Sequence, residues 1–330
     1  MQKPSLTLLI VVVFWVFLGC RLFQLAPAAP APQASPTLLP VSPITVDLTL
    51  TPTEEATAIP TFTPTPSVTP RTIPAGRVLI LVLGSDRRSQ GGYRTDVVML
   101  LTVDTHKRTV STVSFPRDLY VKIPGQQPNR INTVMPRGGF DLLVRTFEVN
   151  FGIHPDYYVL VEMQAFTEII ARLDGITVEV GKPLRDRCDR SLDLSKEGWC
   201  EVKPGTMEMD GPTALWYVRS RYSTSDFDRL RRAQEVLLAI FLKMMRLNAV
   251  AHWPQFYNAY REYVQTNLTI PDLLPLLPTA VLVYRDPSRI HQYILTRAEV
   301  TPVRTENGSS VLLPKYEKIT EIIDQAVLAP

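Results

Sequence analysis

The chain has 330 residues, 45% of them hydrophobic and 20% charged, with 29 prolines and 35 Lys and Arg against 32 Asp and Glu. Such a balance is ordinary for a globular protein and excludes a chain disordered throughout. A net charge of +3 is too small to imply a polyanionic partner by itself.

The first 26 residues begin with Lys3 and continue as an apolar run from Leu6 to Cys20 that only Thr7 interrupts. Counted from Ser5 to Ala26 the run holds 22 residues, about 33 Å of helix and enough to cross a bilayer. Residues 1–26 are therefore expected to target the membrane. No small-x-small cleavage site follows, so a retained single-pass anchor is expected, and Lys3 favours export of the bulk of the chain. Leu18-Gly19-Cys20 offers the alternative of a lipoprotein held through Cys20, although Phe17 stands where a lipobox usually has Leu.

Residues 27–75 read as a linker. Between residues 27 and 74 lie 12 of the 29 prolines and no glycine. Such a tract cannot pack a core and favours extended polyproline backbone, at most roughly 150 Å of semi-rigid stalk. Ordered structure is expected from near Arg77, with one domain at 76–246 and a helical extension, 247–330, packed on it.

Three short runs rich in Val, Leu and Thr follow: Val78–Gly84, Val97–Val103 and Thr109–Phe115. Each is bounded by Gly, Asp, Thr or Pro, which reads as strands, and the tight connection 104–108 makes the last two an antiparallel pair. A meander brings Asp86, Arg94, Asp96 and Arg117 to one sheet edge, with Arg94 and Asp96 on one face if the chain there is extended. Two carboxylates are hard ligands of the kind Mg²⁺ or Mn²⁺ uses alongside substrate phosphates, and guanidiniums suit phosphate oxygens. The plain alternative is a set of turn caps and surface ion pairs.

After Asp118 the run YVKIP reads as a strand, and Gly138-Gly139 precede a helical pattern in Phe140, Leu143 and Phe147. Next come a strand at Tyr157–Val161, a helix at Ala165–Leu173 stopped by Gly175, and a strand at Ile176–Val180. Asn132 caps a turn or reaches a site. Cys188 and Cys200 flank a polar loop and would close it as a disulfide outside the reducing cytosol, the alternative being two free thiols. No C-x-x-C pair or histidine cluster occurs, which argues against zinc.

Leu215–Val218 reads as a buried strand or short helix, and in extended form would present Arg219 and Arg221 as a two-residue fork for phosphates. Ser225 and Asp228 then form a capping box at the start of a long helix. One stripe of that helix carries Phe227, Leu230, Leu237, Leu238 and Phe241, with Gln234 inside it. A second carries Arg229, Arg232, Ala233, Val236 and Ile240. A helix apolar on two sides is fully buried, the reading that periodicity alone favours, or lines an apolar cavity, which would hold a lipid tail with the arginines at its mouth.

Eight segments in order, GSDRR, RTD, SFPRD, RINTVMPRGG, GIHPDYYVLVEMQAF, LDGITVEV, DGPTALWYVRSR and SDFDRLRR, resemble the LytR-CpsA-Psr family of bacterial cell-envelope enzymes, over roughly Arg77 to Met245. The resemblance implies an extracytoplasmic α/β/α sandwich around a mixed sheet, with a hydrophobic pocket for a polyprenyl chain. It further implies Mg²⁺-dependent transfer of a glycopolymer from an undecaprenyl-pyrophosphate carrier to peptidoglycan, with lipid-pyrophosphatase activity as a companion reaction. On this resemblance Asp86 and Asp96 would hold metal, and Arg94, Arg117, Arg219 and Arg221 the pyrophosphate. Asp226 and Arg229 match the family's Asp-x-x-Arg. The family's usual Gln after the residue matching Arg232 is Ala233 here, with Gln234 next, which leaves Gln234 a weaker substrate contact.

Of the four histidines only His154 falls within these segments, in GIHPDYYVLVEMQAF, and none stands in a segment that carries a candidate site residue, so a general base is expected to be an aspartate or the substrate itself. A non-catalytic polyprenyl-phosphate or glycan-binding module is the rival reading. A regulator that binds nucleic acid through Arg229, Arg231 and Arg232 is a poorer third reading, and no nucleic-acid partner is expected, since anchor and stalk would place that helix outside the cell. Residues 246–330 are expected to hold helices near Trp253–Val264, Pro271–Leu277 and Lys315–Val327.

Overall fold

The computed structural model describes residues 69–87, 92–188, 192, 195–247, 264–305 and 307–329. Residues 1–68, which include the expected anchor and most of the linker, lie outside them, as does most of the helix expected near Trp253. Among the described residues no helix is long and apolar enough to cross a membrane.

The layers follow from alternation along β1 (Arg77–Arg87) and along the part of β2 (Tyr93–Asp104) that runs from Val97 onward. Successive side chains of a strand point to opposite faces. Leu79, Leu81 and Leu83 of β1 and Val98 and Leu100 of β2 join the main core. Ile80, Val82, Met99 and Leu101 face the other way and line a cavity. The third strand, β3 (Thr109–Phe115), pairs antiparallel with β2, and β4 (Tyr157–Glu162) pairs parallel with β1. The expected meander is present, with β1 and β2 antiparallel.

Two further strands, β5 (Val264–Thr266) and β6 (Ile290–Ile294), complete a mixed sheet of order β5-β4-β1-β2-β3-β6. The C-terminal part is therefore not a helical extension packed from outside. It supplies both edges of the sheet, β5 antiparallel to β4 and β6 parallel to β3, and ends in a hairpin of Val300–Arg304 with Ser310–Pro314. The stretch YVKIP contributes only the short bridge Tyr120–Val121 to Asn129–Arg130.

On the core face lie α1 (Val134–Phe151), whose Leu143, Phe147 and Phe151 pack on Phe115, and, after the others in sequence, the C-terminal helix. Gly138 and Gly139 kink α1 after its first turn, Gly139 with φ +64° and ψ −161°, backbone that a side chain would strain. The other face carries α2 (Met163–Arg172), α3 (Gly211–Arg219) and α4 (Asp226–Arg246). A Cβ on Gly211 would fall 2.4 Å from the Thr167 carbonyl oxygen, so glycine is what lets α3 approach α2. Short helices α5 (Ile270–Leu273) and α6 (Leu277–Arg285) precede β6, and α7 (Tyr316–Ile323) returns to the core.

Order begins earlier than Arg77. The Arg71 backbone N–H donates to the Gly152 carbonyl at 2.8 Å, its side chain bonds Asp324 at 2.6 Å, and Ile73 packs on the main core. Residues 71–75 thus belong to the folded unit and not to the stalk. Cys188 and Cys200 are joined as a disulfide, with Cα atoms 5.6 Å apart.

Candidate functional site

The gap between the sheet and α2, α3 and α4 is a single cavity of about 740 Å³. Its walls are the cavity-facing residues of β1, β2 and β4, together with Phe166 and Ile169 of α2, Leu215 and Val218 of α3, and Ala233, Val236, Leu237, Ile240 and Met244 of α4. The second apolar stripe of the long helix therefore does line a hollow. Between Ile80 and Asp86 the slot follows about 20 Å of strand, apolar along its length and charged where β1 ends.

That charged end gathers side chains from five parts of the chain. Asp86, Arg94, Asp96, Arg117, Arg219, Arg221 and Arg229 all line the mouth. Cross-strand pairing sets Asp86 opposite Arg94 and Ser85 opposite Thr95, but Gly84 opposite Val97. Asp96 is thus the extra residue of a β-bulge, and Arg94 and Asp96 are not alternate members of a regular strand. A bulge frees backbone groups and re-aims side chains. Here the freed Asp96 carbonyl accepts from Arg229 Nη2 at 3.3 Å, and the Asp96 carboxylate accepts from Arg117 Nη1 at 2.9 Å.

Arg219 is also reached differently from the extended fork. It closes α3, whose start is capped by Asp210 accepting from the Thr213 N–H at 2.8 Å; Ser220, with ψ 132°, then turns the chain out so that Arg221 follows in a loop. Arg221 and Arg229 both stand 3.7 Å from Asp226 Oδ1. The capping box of Ser225 with Asp228 is formed as expected, and it presents Asp226 and Arg229 one turn apart.

Burial disfavours the Arg117 charge, but the Asp96, Asp118 and Asp226 carboxylates outweigh it and raise the guanidinium above its ordinary pKa. At Arg229 burial wins: together with Arg117 and Arg221 it lowers the pKa against the pull of Asp226 and Asp96. Arginine's ordinary pKa is so high that both stay charged at neutral pH. Arg94 and Arg219 have no carboxylate partner among the described residues, which leaves their donors to a ligand.

Two expected contacts are not at the mouth. Arg232 is 1% exposed and turns inward, donating to the Ser220 carbonyl and to Thr224 Oγ1, with its guanidinium over the Tyr217 ring. It holds the loop that carries Arg221. Gln234 is 3% exposed and donates to Ser114 Oγ and the Tyr293 carbonyl, both at 2.9 Å. Its role is to tie α4 to β3 and β6. Gln234→Ala is expected to cost about 1–3 kcal/mol by stranding buried acceptors, read as a lower denaturant midpoint, with ligand affinity unchanged. Arg231, the remaining arginine of this turn, pairs with Glu235 four residues on.

Asn132, read as a turn cap or a site residue, stands at the mouth, and Asp118 and Arg130, which the sequence reading did not single out, join it there. Asn132, 1% exposed, lines the cavity with Oδ1 unpartnered, while its backbone N–H donates to the Arg117 carbonyl at 3.3 Å. Asp118 lies 3.5 Å from Arg117 Nε and 3.2 Å from Arg130 Nε, and both it and Arg130 line the cavity. Their signal was adjacency to motif residues in SFPRD and RIN.

An α/β sandwich with an apolar slot ending in a ring of guanidiniums defines a protein suited to an amphiphile with an anionic head. The LytR_cpsA_psr family model matches residues 45–326, and the chain belongs to that family. The match runs past both ends of the 76–246 domain read from motifs, in keeping with β5 and β6 being part of the sheet. The regulatory protein MsrR of Staphylococcus aureus (strain COL) is 34% identical over 200 residues, 60% of this chain and 58% of MsrR. The Bacillus subtilis polyisoprenyl-teichoic acid--peptidoglycan teichoic acid transferase TagT is 32% identical over 204 residues, 60% of this chain and 62% of TagT. The chain thus spans about three fifths of the curated relatives it matches. A structure of TagT bound to LIIa-WTA superposes with a TM-score of 0.59 at 26% identity, covering 77% of this chain and 91% of that one.

Proposed function

We propose that this protein transfers a glycopolymer from an undecaprenyl-pyrophosphate carrier to a hydroxyl of peptidoglycan on the outer side of the membrane. The observation that carries the reading is the continuity of one cavity, apolar along the sheet and ringed by Arg94, Arg117, Arg219, Arg221 and Arg229 where β1 ends. A polyprenyl tail fits the first part and a pyrophosphate the second. The teichoic acid transferase activity for which TagT is named and its LIIa-WTA complex support the same chemistry. The apolar run Ser5–Ala26 supports a membrane anchor, which would keep the slot near its lipid.

Arg94 and Arg219, free of carboxylates, take the phosphate oxygens, and Arg117 and Arg229 face charge that develops on the leaving lipid phosphate. The acceptor oxygen forms a bond to the sugar-side phosphorus as the bond from that phosphorus to the bridging oxygen breaks. Polyprenyl phosphate departs, and the hydroxyl proton passes to a rim carboxylate. Holding both reactants in line does most of the work. Water in place of the hydroxyl would give lipid-pyrophosphatase activity.

Asp86 and Asp96 are the residues that would hold Mg²⁺ or Mn²⁺. The fit differs between them. Asp86 Oδ1 is buried without a hydrogen bond, as a ligand awaiting a cation would be, whereas the charge of Asp96 is already met by Arg117. No group of three or more His, Cys, Asp or Glu among the described residues could hold a metal unaided, so waters and phosphate would complete the shell. The ion would supply charge neutralisation between the carboxylates and the pyrophosphate.

The purified full chain, given a lipid-linked glycan donor, peptidoglycan and Mg²⁺, is expected to release polyprenyl phosphate and leave phosphate bound to the wall polymer. A chelator or Asp86→Asn should lower turnover about a hundredfold or more. Donor bound tightly but never turned over would replace the enzyme by a non-catalytic binding module.

A further inference from the structure

A second hollow shares a wall with the mouth. It is a cleft of about 640 Å³ lined by Lys182, Tyr222, Ser223, Thr224, Ser225 and Asp228, among others. Arg221 lines the cavity and Tyr222, the next residue, lines the cleft; Asp228 lines the cleft and Arg229 the cavity. The loop after α3 and the first turn of α4 therefore form a partition with guanidiniums on one side and an aromatic ring and hydroxyls on the other.

Tyr222 is 68% exposed, the most exposed large apolar side chain among the described residues. It is nevertheless held in place. The Arg187 guanidinium lies 4.7 Å from its ring centroid, and the Trp199 ring packs at 5.8 Å and 69°, with Arg187 and Trp199 paired across neighbouring strands. The Tyr222 N–H donates to Asp186 Oδ2 at 2.9 Å. Arg232 fixes the loop on both sides through Ser220 and Thr224. An aromatic face kept rigid and turned to water at the edge of a polar cleft marks a contact surface.

A pyranose ring matches it. One face of such a ring is a layer of C–H groups suited to an aromatic plane, and its rim carries hydroxyls that need donors and acceptors. Ser225 and Asp228 are bonded to each other, and Lys182 lies 3.7 Å from Asp228. Ser223, which makes no hydrogen bond among the described residues, and the Lys182 ammonium remain for sugar hydroxyls. We propose that this cleft is a sugar subsite in which a pyranose stacks on Tyr222. The inference deepens the function proposed above and rests on it: beside a pyrophosphate at Arg221, the sugar is the first residue of the donor glycan or the hydroxyl-bearing residue of the acceptor.

Three probes separate these sources by calorimetry on the full chain. They are a muramidase-released GlcNAc–MurNAc tetrasaccharide, farnesyl-diphospho-N-acetylglucosamine, and sugar-free geranylgeranyl diphosphate. Tyr222→Ala should weaken at least one sugar probe about tenfold, Tyr222→Phe should restore it, and neither should change geranylgeranyl diphosphate. Loss with the tetrasaccharide assigns the cleft to the acceptor, and loss with the diphospho-sugar alone assigns it to the donor. Unaltered binding of both sugar probes by Tyr222→Ala overturns the subsite. Failure of wild-type protein to bind geranylgeranyl diphosphate overturns the pyrophosphate reading instead, and the sugar probes still decide the cleft.

Discussion

Arg117→Ala is expected to abolish glycopolymer transfer and lipid-pyrophosphate cleavage, by about a hundredfold or more, while the protein stays folded. Arg117 is the hub of the mouth. It pairs with Asp96 at 2.9 Å and with Asp118 at 3.5 Å, and its backbone carbonyl receives the Asn132 N–H. Removing it leaves Asp96 uncompensated and repelling the pyrophosphate, so one substitution both deletes a positive charge and exposes a negative one. About a fifth of the side chain is exposed, so solvent can enter, and the stability cost should stay near that of an ordinary partly buried pair. Arg117→Lys should recover only part of the loss, because an ammonium cannot span two phosphate oxygens as a planar fork does. Single-turnover release of polyprenyl phosphate, with circular dichroism as the folding check, measures both; wild-type turnover in Arg117→Ala would take Arg117 out of the chemistry.

Ala233→Phe should empty the slot of lipid without unfolding the chain. Ala233 is half-buried and lines the cavity one turn beyond Arg229, so a phenyl group there grows into the hollow and not into packed atoms. Excluding three or four methylenes at about 0.8 kcal/mol each lowers affinity for geranylgeranyl diphosphate about a hundredfold. Binding of inorganic pyrophosphate, which needs only the arginines, should be kept. Val236→Asp is the less discriminating variant. Val236 is 1% exposed and belongs to a hydrophobic cluster as well as to the cavity wall, so an unpaired carboxylate there would cost several kcal/mol of fold stability. If Ala233→Phe binds the lipid as wild type does, the tail does not lie in this slot.

Strand β3 could be read to the residue, and β1, β2 and β4 to within a few positions, because alternation and turn residues are local signals. The capping box of α4 was legible for the same reason. The register break was not. Nothing in YRTDVVML announces that Asp96 bulges out of β2, since that follows from how β1 runs alongside it. Periodicity placed Arg232 beside Arg229 at the head of one stripe, yet helical spacing does not say whether a long side chain reaches the mouth or folds back; the Ser220 carbonyl decided that. Asn132 could be read as a turn cap as easily as a site residue, and Asp118 drew no reading of its own, until the fold set both against Arg117. The C-terminal strands were missed because β5 is three residues long and β6 carries a histidine and a glutamine.

By itself the sequence determined the chemistry available here: which strands alternate, that a long helix has two apolar faces, and that aspartates and arginines stand at the ends of apolar runs. These are properties of neighbours in the chain, and period and composition record them directly. Only the tertiary structure decided which of those charges meet, that the second helix face borders a hollow, and that Arg232 and Gln234 serve the scaffold. Such outcomes depend on contacts between separate elements, from 12 residues apart for Arg232 and Ser220 to 133 for Arg229 and Asp96, where the register of one strand against another moves a side chain from solvent to site.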